Sequence, residues 1–68
     1  MDVDSTAISQ IDYDVERSKL LVRFRSGQRY VYVGVPAEVG RSFVRADSKG
    51  RFFQREIRDR YPFNRLEG

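Results

Sequence analysis

Arg51, Arg55 and Arg58 recur at spacings of four and three, and Arg41 and Arg45 stand four apart just upstream, with Lys49 between the two groups. Residues so spaced share one side of a helix, so helices carrying them would present a row of cationic groups. The planar fork of arginine holds two phosphate oxygens at once, which suits such a row to tracking a nucleic-acid backbone. The same row can equally be a solvated helix face, partly neutralised by Glu56 and Asp59. Rings near basic groups are the other half of single-strand recognition, because bases stack on them for about 1–3 kcal/mol each. Tyr30, Tyr32 and Phe52 are the candidates, whereas Phe43 and Phe53 fall at the spacing of a helix's core stripe.

Other chemistry finds little support. The 68 residues include no histidine and no cysteine, which removes the commonest metal ligand, the commonest general base, and any disulfide or thiolate metal site. No nucleophile–base pair stands out among the serines with Lys19 or Lys49, so no enzyme, metal or cofactor is expected. Ser48-Lys49-Gly50 could hold a phosphate at a helix start but lacks the rest of a P-loop, and reads as a capping turn. Asp12, Asp14 and Glu16 do not match a calcium loop. They belong to an acidic start: residues 1–18 carry five carboxylates against Arg17 alone, while the remainder carries twelve Lys and Arg against five Asp and Glu. A basic body with an acidic leader points to an anionic partner or to solubilising charge.

The elements that must position these groups read as a small α+β domain. Ser5 to Tyr13 forms a first strand, followed by a turn at Asp14–Ser18. Lys19–Phe24 forms a second strand, with Leu20, Val22 and Phe24 on one face. After Arg25-Ser26-Gly27, the stretch Gln28 to Val33 forms a third. Pro36 then opens a helix over Ala37 to Ala46, with Val35, Val39, Phe43 and Ala46 on one side and Gly40 as a weak point. Ser48 caps a second helix, Arg51 to Arg60, whose stripe is Phe53, Ile57 and Tyr61; Pro62 ends it. The result is a single domain over residues 1–68, a three-stranded antiparallel meander packed against two short helices (βββαα), with its core over 5–61 and a loose tail over 62–68.

Hairpin register decides which way Tyr30 and Tyr32 face, since a one-residue slip moves every side chain to the other side. If Arg25-Ser26-Gly27 is a three-residue loop with Gly27 left-handed, Phe24 opposes Gln28, Val22 opposes Tyr30, and Leu20 opposes Tyr32. The tyrosines then share the core face with hydroxyls at the rim, and Leu21, Val31 and Val33 lie outside beside Arg23 and Arg29. If Ser26-Gly27 is a two-residue turn, the tyrosines form an open platform instead. Ser-Gly is a poorer two-residue turn than Asn-Gly, which favours the bulged loop.

Leu20-x-Val22-x-Phe24, Gly27, Tyr30-x-Tyr32, Val35-Pro36 and Ser48-x-Gly50-x-Phe52-Phe53 with Ile57 and Tyr61 together resemble the KTSC domain family, over roughly Ser5 to Tyr61. That family is a short domain at the C-terminus of some lysyl-tRNA synthetases and in stand-alone bacterial and phage proteins, with Tyr30-Val31-Tyr32 matching its central motif. The resemblance implies no established activity; RNA binding is suggested by the synthetase attachment.

The expected function is therefore a non-catalytic module binding RNA or another single strand through Arg41, Arg45, Lys49, Arg51, Arg55 and Arg58, with Tyr30 and Tyr32 as stacking rings. The alternative is a protein-interaction or homodimer module using Leu21, Val31 and Val33. Membrane attachment is not expected, since the basic helix has no large apolar face of its own. The start MDVDSTA lacks both parts of a signal peptide, which points to the cytoplasm.

Overall fold

A computed structural model describes residues 8–66. Strand β1 (Ile8–Asp14), β2 (Lys19–Phe24) and β3 (Arg29–Val33) form an antiparallel meander. Helix α1 (Ala37–Arg45) and helix α2 (Lys49–Phe52) follow, α2 running on into a π-helical turn over Phe53–Ile57. The chain then returns as β4 (Phe63–Leu66), antiparallel to β3, so that the sheet order is β1-β2-β3-β4. The α+β class matches the expectation, but the sheet has four strands instead of three. The segment after Pro62 is a strand and not a loose tail: Val33 N–H donates to the Pro62 carbonyl at 2.9 Å, and Tyr32 faces Phe63 across the ladder. The Ser5 start expected for the first strand lies outside the described residues.

Each turn has a local cause. Asp14 Oδ1 accepts from the backbone N–H groups of Glu16 and Arg17 at 3.1 and 3.3 Å, folding the chain back between β1 and β2. Those bonds, the Arg17 backbone first, hold the Asp14 carboxyl below its ordinary range. Between β2 and β3, Gly27 has φ 98°, its N–H donates to the Phe24 carbonyl, and Phe24 N–H donates to Gln28. This is the bulged three-residue loop, and the pairs Leu20–Tyr32 and Val22–Tyr30 follow from it. The open-platform register is excluded.

The helices differ from expectation mainly at their ends. Pro36 is the N-cap of α1 and not its first residue, its carbonyl accepting from Val39 and Gly40. Ser48 caps α2 as expected, Oγ accepting from Arg51 N–H at 3.3 Å, but the helix begins at Lys49 and its regular part ends at Ile57. In the π turn Arg58 N–H reaches back to the Phe53 carbonyl at 2.8 Å.

Both helices lie on one face of the sheet. Leu20, Val22, Tyr32, Val35, Phe43, Phe53 and Ile57 are buried between the layers, joined at the edge by Ile8. Phe43 stacks on Phe52 at 5.3 Å and 13°, which makes Phe52 a helix–helix contact and not the exposed stacking ring its position suggested. Gly40 lies directly against the Tyr13 ring, so its place in a helix follows from close packing. Among the described residues, no helix is long and apolar enough to cross a membrane.

Candidate functional site

The helices cover β1 and β2 more fully than the β3–β4 side, and there the inner face opens into a cleft of about 630 Å³, within the size range of small-molecule and nucleotide sites. Its floor comes from strand residues that alternate inward, Phe24, Tyr30, Tyr32 and Phe63. One wall is the π turn and its exit, supplying Phe53, Arg58 and Asp59. The β2–β3 loop supplies Arg25, Ser26 and Gln28.

The rings form one connected set. Tyr30 and Tyr32 lie 6.4 Å apart and nearly parallel, as expected of strand neighbours two residues apart. Phe63 leans over both, at 5.4 Å from Tyr30 and 5.3 Å from Tyr32, while Phe24 meets Tyr30 and Phe53 edge to face. Accessibility separates their roles. Tyr32 is 3% exposed and serves as buried floor, whereas Tyr30 is half-buried and Phe63 is 50% exposed, so the rings a ligand meets are those of Tyr30 and Phe63. Burial pushes the Tyr32 hydroxyl up to about 12; neighbouring Tyr30 adds to this, and Asp59 raises it further while Arg58 opposes it. The charges of Arg58 and Asp59 therefore bear on the cleft floor.

The rim is polar and uncommitted. Among the described residues, the side chains of Arg25, Gln28, Arg58 and Asp59 make no hydrogen bond or ion pair. Arg65 stands opposite Tyr30 on β4, two residues from Phe63, and so adds a third guanidinium to this side of the sheet.

Of the residues singled out from the sequence, Tyr30, Tyr32 and Arg58 meet at the cleft. Arg41 and Arg45 are exposed on α1, and Arg51 and Arg55 on the second helix, none of them lining the cleft. Arg55 is spent locally, its Nε 3.6 Å from Glu56. Lys49 is half-buried and donates from Nζ to the Ala46 carbonyl at 2.8 Å, tying the two helices together. Phe24, Arg25, Gln28, Asp59 and Phe63 were not anticipated as site residues. The bulged-loop register carried the signal for Arg25 and Gln28, since both flank the loop beside Tyr30.

Leu21, Val31 and Val33 lie on the opposite face of the sheet, each half-buried. With Leu66 from β4, Leu21 and Val31 floor a shallow outer groove of about 660 Å³ walled by Asp12, Asp14, Glu16 and Lys19.

The family model described as the KTSC domain matches residues 4–61. The chain belongs to the KTSC domain family. It is similar to a KTSC domain protein from Yersinia pestis of known crystal structure, at a TM-score of 0.87 and 35% identity over 98% of this chain and 94% of that one. Although the family match stops at residue 61, that structural match takes in β4 as well. A protein from Tsukamurella paurometabola is 37% identical over 87% of this chain and 88% of its own length. A lysine–tRNA ligase from Nostoc punctiforme is 32% identical over 93% of this chain, but the matched segment is only 11% of that ligase. The KTSC domain thus occurs both nearly alone and as a small part of a larger protein.

Proposed function

We propose that this KTSC domain binds single-stranded nucleic acid, RNA foremost, and has no chemistry of its own. The observation that carries the reading is the cleft: the half-buried Tyr30 ring and the exposed Phe63 ring line it together with the unpaired guanidinium groups of Arg25 and Arg58. Stacking surface flanked by phosphate-binding groups is what splayed single strands require, and a duplex offers no free base faces to such a cleft. The occurrence of a related segment within a lysine–tRNA ligase supports RNA over DNA. The helical arginines Arg41, Arg45, Arg51 and Arg55 lie off the cleft and take no part in this contact.

Titration of the isotope-labelled domain with a short single-stranded RNA at low salt tests this. Chemical-shift changes centred on Tyr30, Phe63, Gln28 and Arg58 are expected. Absence of binding at low salt, or changes confined to the outer face, would refute it.

The outer groove favours a second reading, docking of a protein or another copy on Leu21 and Val31 with Val33 beside them, because three strands contribute apolar residues to its floor. Light scattering over a range of concentrations separates the two, since a monomer throughout removes self-association.

A further inference from the structure

We propose that the cleft selects guanine, and that Asp59 reads the base; this rests on the nucleic-acid reading above. The rings cannot choose between bases, because every base has a π-face to stack. Choice must come from polar groups at the rim. Arg25 and Arg58 are donors only and suit phosphate, while Gln28 offers both a donor and an acceptor and imposes no preference. Asp59 is the exception. An ionised carboxylate accepts hydrogen bonds and donates none, and it repels phosphate, so it works against an otherwise basic cleft unless a ligand brings donors to it.

Its position fits that use. Asp59 lines the cleft at the exit of the π turn, and its charge is felt at the Tyr32 hydroxyl on the floor. Among the described residues it makes no ion pair, although Arg58 is its neighbour in the chain. The two carboxylate oxygens are thus available side by side. Guanine alone among the four RNA bases presents two adjacent N–H donors on its Watson–Crick edge, from N1 and the 2-amino group. Adenine and cytosine place a ring acceptor beside their amino group, and uracil sets its single N–H between two carbonyls. A carboxylate therefore forms two charge-assisted bonds with guanine and meets an acceptor lone pair on every other base. A bidentate match of this type corresponds to a preference of roughly tenfold to a hundredfold.

The test compares four five-nucleotide RNAs, all-uridine or with one central guanosine, adenosine or cytidine, binding to the wild-type domain and to Asp59→Asn. Asp59 is exposed beyond the last helical turn, so the variant is expected to keep its melting temperature. The wild type should bind the guanosine strand at least about tenfold more tightly than the other three. In Asp59→Asn that strand should weaken while the all-uridine strand tightens, since one acceptor and one repulsive charge are lost together. A merely structural role for Asp59 would move all four strands in one direction and overturn the assignment, as would a guanosine preference that survives in Asp59→Asn. Equal wild-type binding of all four strands overturns guanine selection but leaves nucleic-acid binding intact. Failure to bind any of them removes both.

Discussion

At Gly40 two preferences oppose each other. A glycine inside a helix costs about 1 kcal/mol relative to alanine, so helix propensity alone would make Gly40→Ala stabilising. A Cβ at that position would fall 2.8 Å from Cγ and Cδ1 of Tyr13, closer than real contacts allow. The ring cannot swing aside cheaply, because its backbone pairs with Leu20 in β2 and its hydroxyl donates to the Val35 carbonyl at the other end. Overpacking of this sort costs about 1–3 kcal/mol, so it outweighs the propensity gain. Gly40→Ala should lower the melting temperature by several degrees, about 4–8 °C per kcal/mol for a domain of this size. The loss should shrink when Tyr13→Leu is present as well, a coupling that a double-mutant cycle measures. A raised melting temperature in the single variant would show that α1 can move off β1. What looked from the sequence like a weak helix residue is a packing contact between α1 and the edge strand, and no local propensity could reveal it.

The elements were legible where one residue constrains many. Gly27 decided the loop, the loop decided the register, and the register placed Leu20, Val22, Tyr30 and Tyr32 on the inner face together. The spacing of Val39 and Phe43, and of Phe53 and Ile57, located both helices. β4 left no comparable trace: four residues after a proline, all exposed, with apolar side chains only at Phe63 and Leu66. Its evidence was indirect, since a β3 as apolar as Tyr30-Val31-Tyr32-Val33 makes a hazardous bare edge. Missing β4 meant missing Phe63, and with it the outer side of the cleft. A chain ended after Tyr61 tests this role. It loses the ladder to β3 and uncovers the Tyr30 and Tyr32 rings. Such a chain should melt at lower temperature and scatter light increasingly with concentration as β3 pairs between molecules. A truncated chain that stays monomeric with an unchanged melting temperature would reduce β4 to a surface appendage.

Across the whole molecule, the cleft side of the sheet gathers arginines, while the outer side carries both signs of charge. Asp12 and Asp14 project to the outer side, where Lys19, Arg23 and Arg29 also lie, while Arg25 and Arg58 line the inner cleft and Arg65 stands opposite Tyr30 on the same side of the sheet. The separation of an acidic start from a basic remainder in the sequence is only partly a separation of faces, and which arginines gather round the rings could not be read without β4 and the π turn. The arginines on the cleft side make the nucleic-acid reading quantitative. Each phosphate contact on a single strand lowers log K by about 0.7 per decade of salt, so Arg25 and Arg58 with Arg65 beside the cleft give a slope near −2. Replacing Arg25 and Arg58 together by glutamine should remove about 1.4 from that slope and most of the affinity, whereas Arg41→Gln with Arg45→Gln on α1 should leave the slope nearly unchanged. A slope well beyond −2, with the larger loss falling on the α1 pair, would move the binding surface from the cleft to the helical arginines. Aromatic stacking responds weakly to salt, so affinity remaining at high ionic strength belongs to Tyr30 and Phe63, and Phe63→Ala should weaken it by about 1–3 kcal/mol while leaving the slope in place.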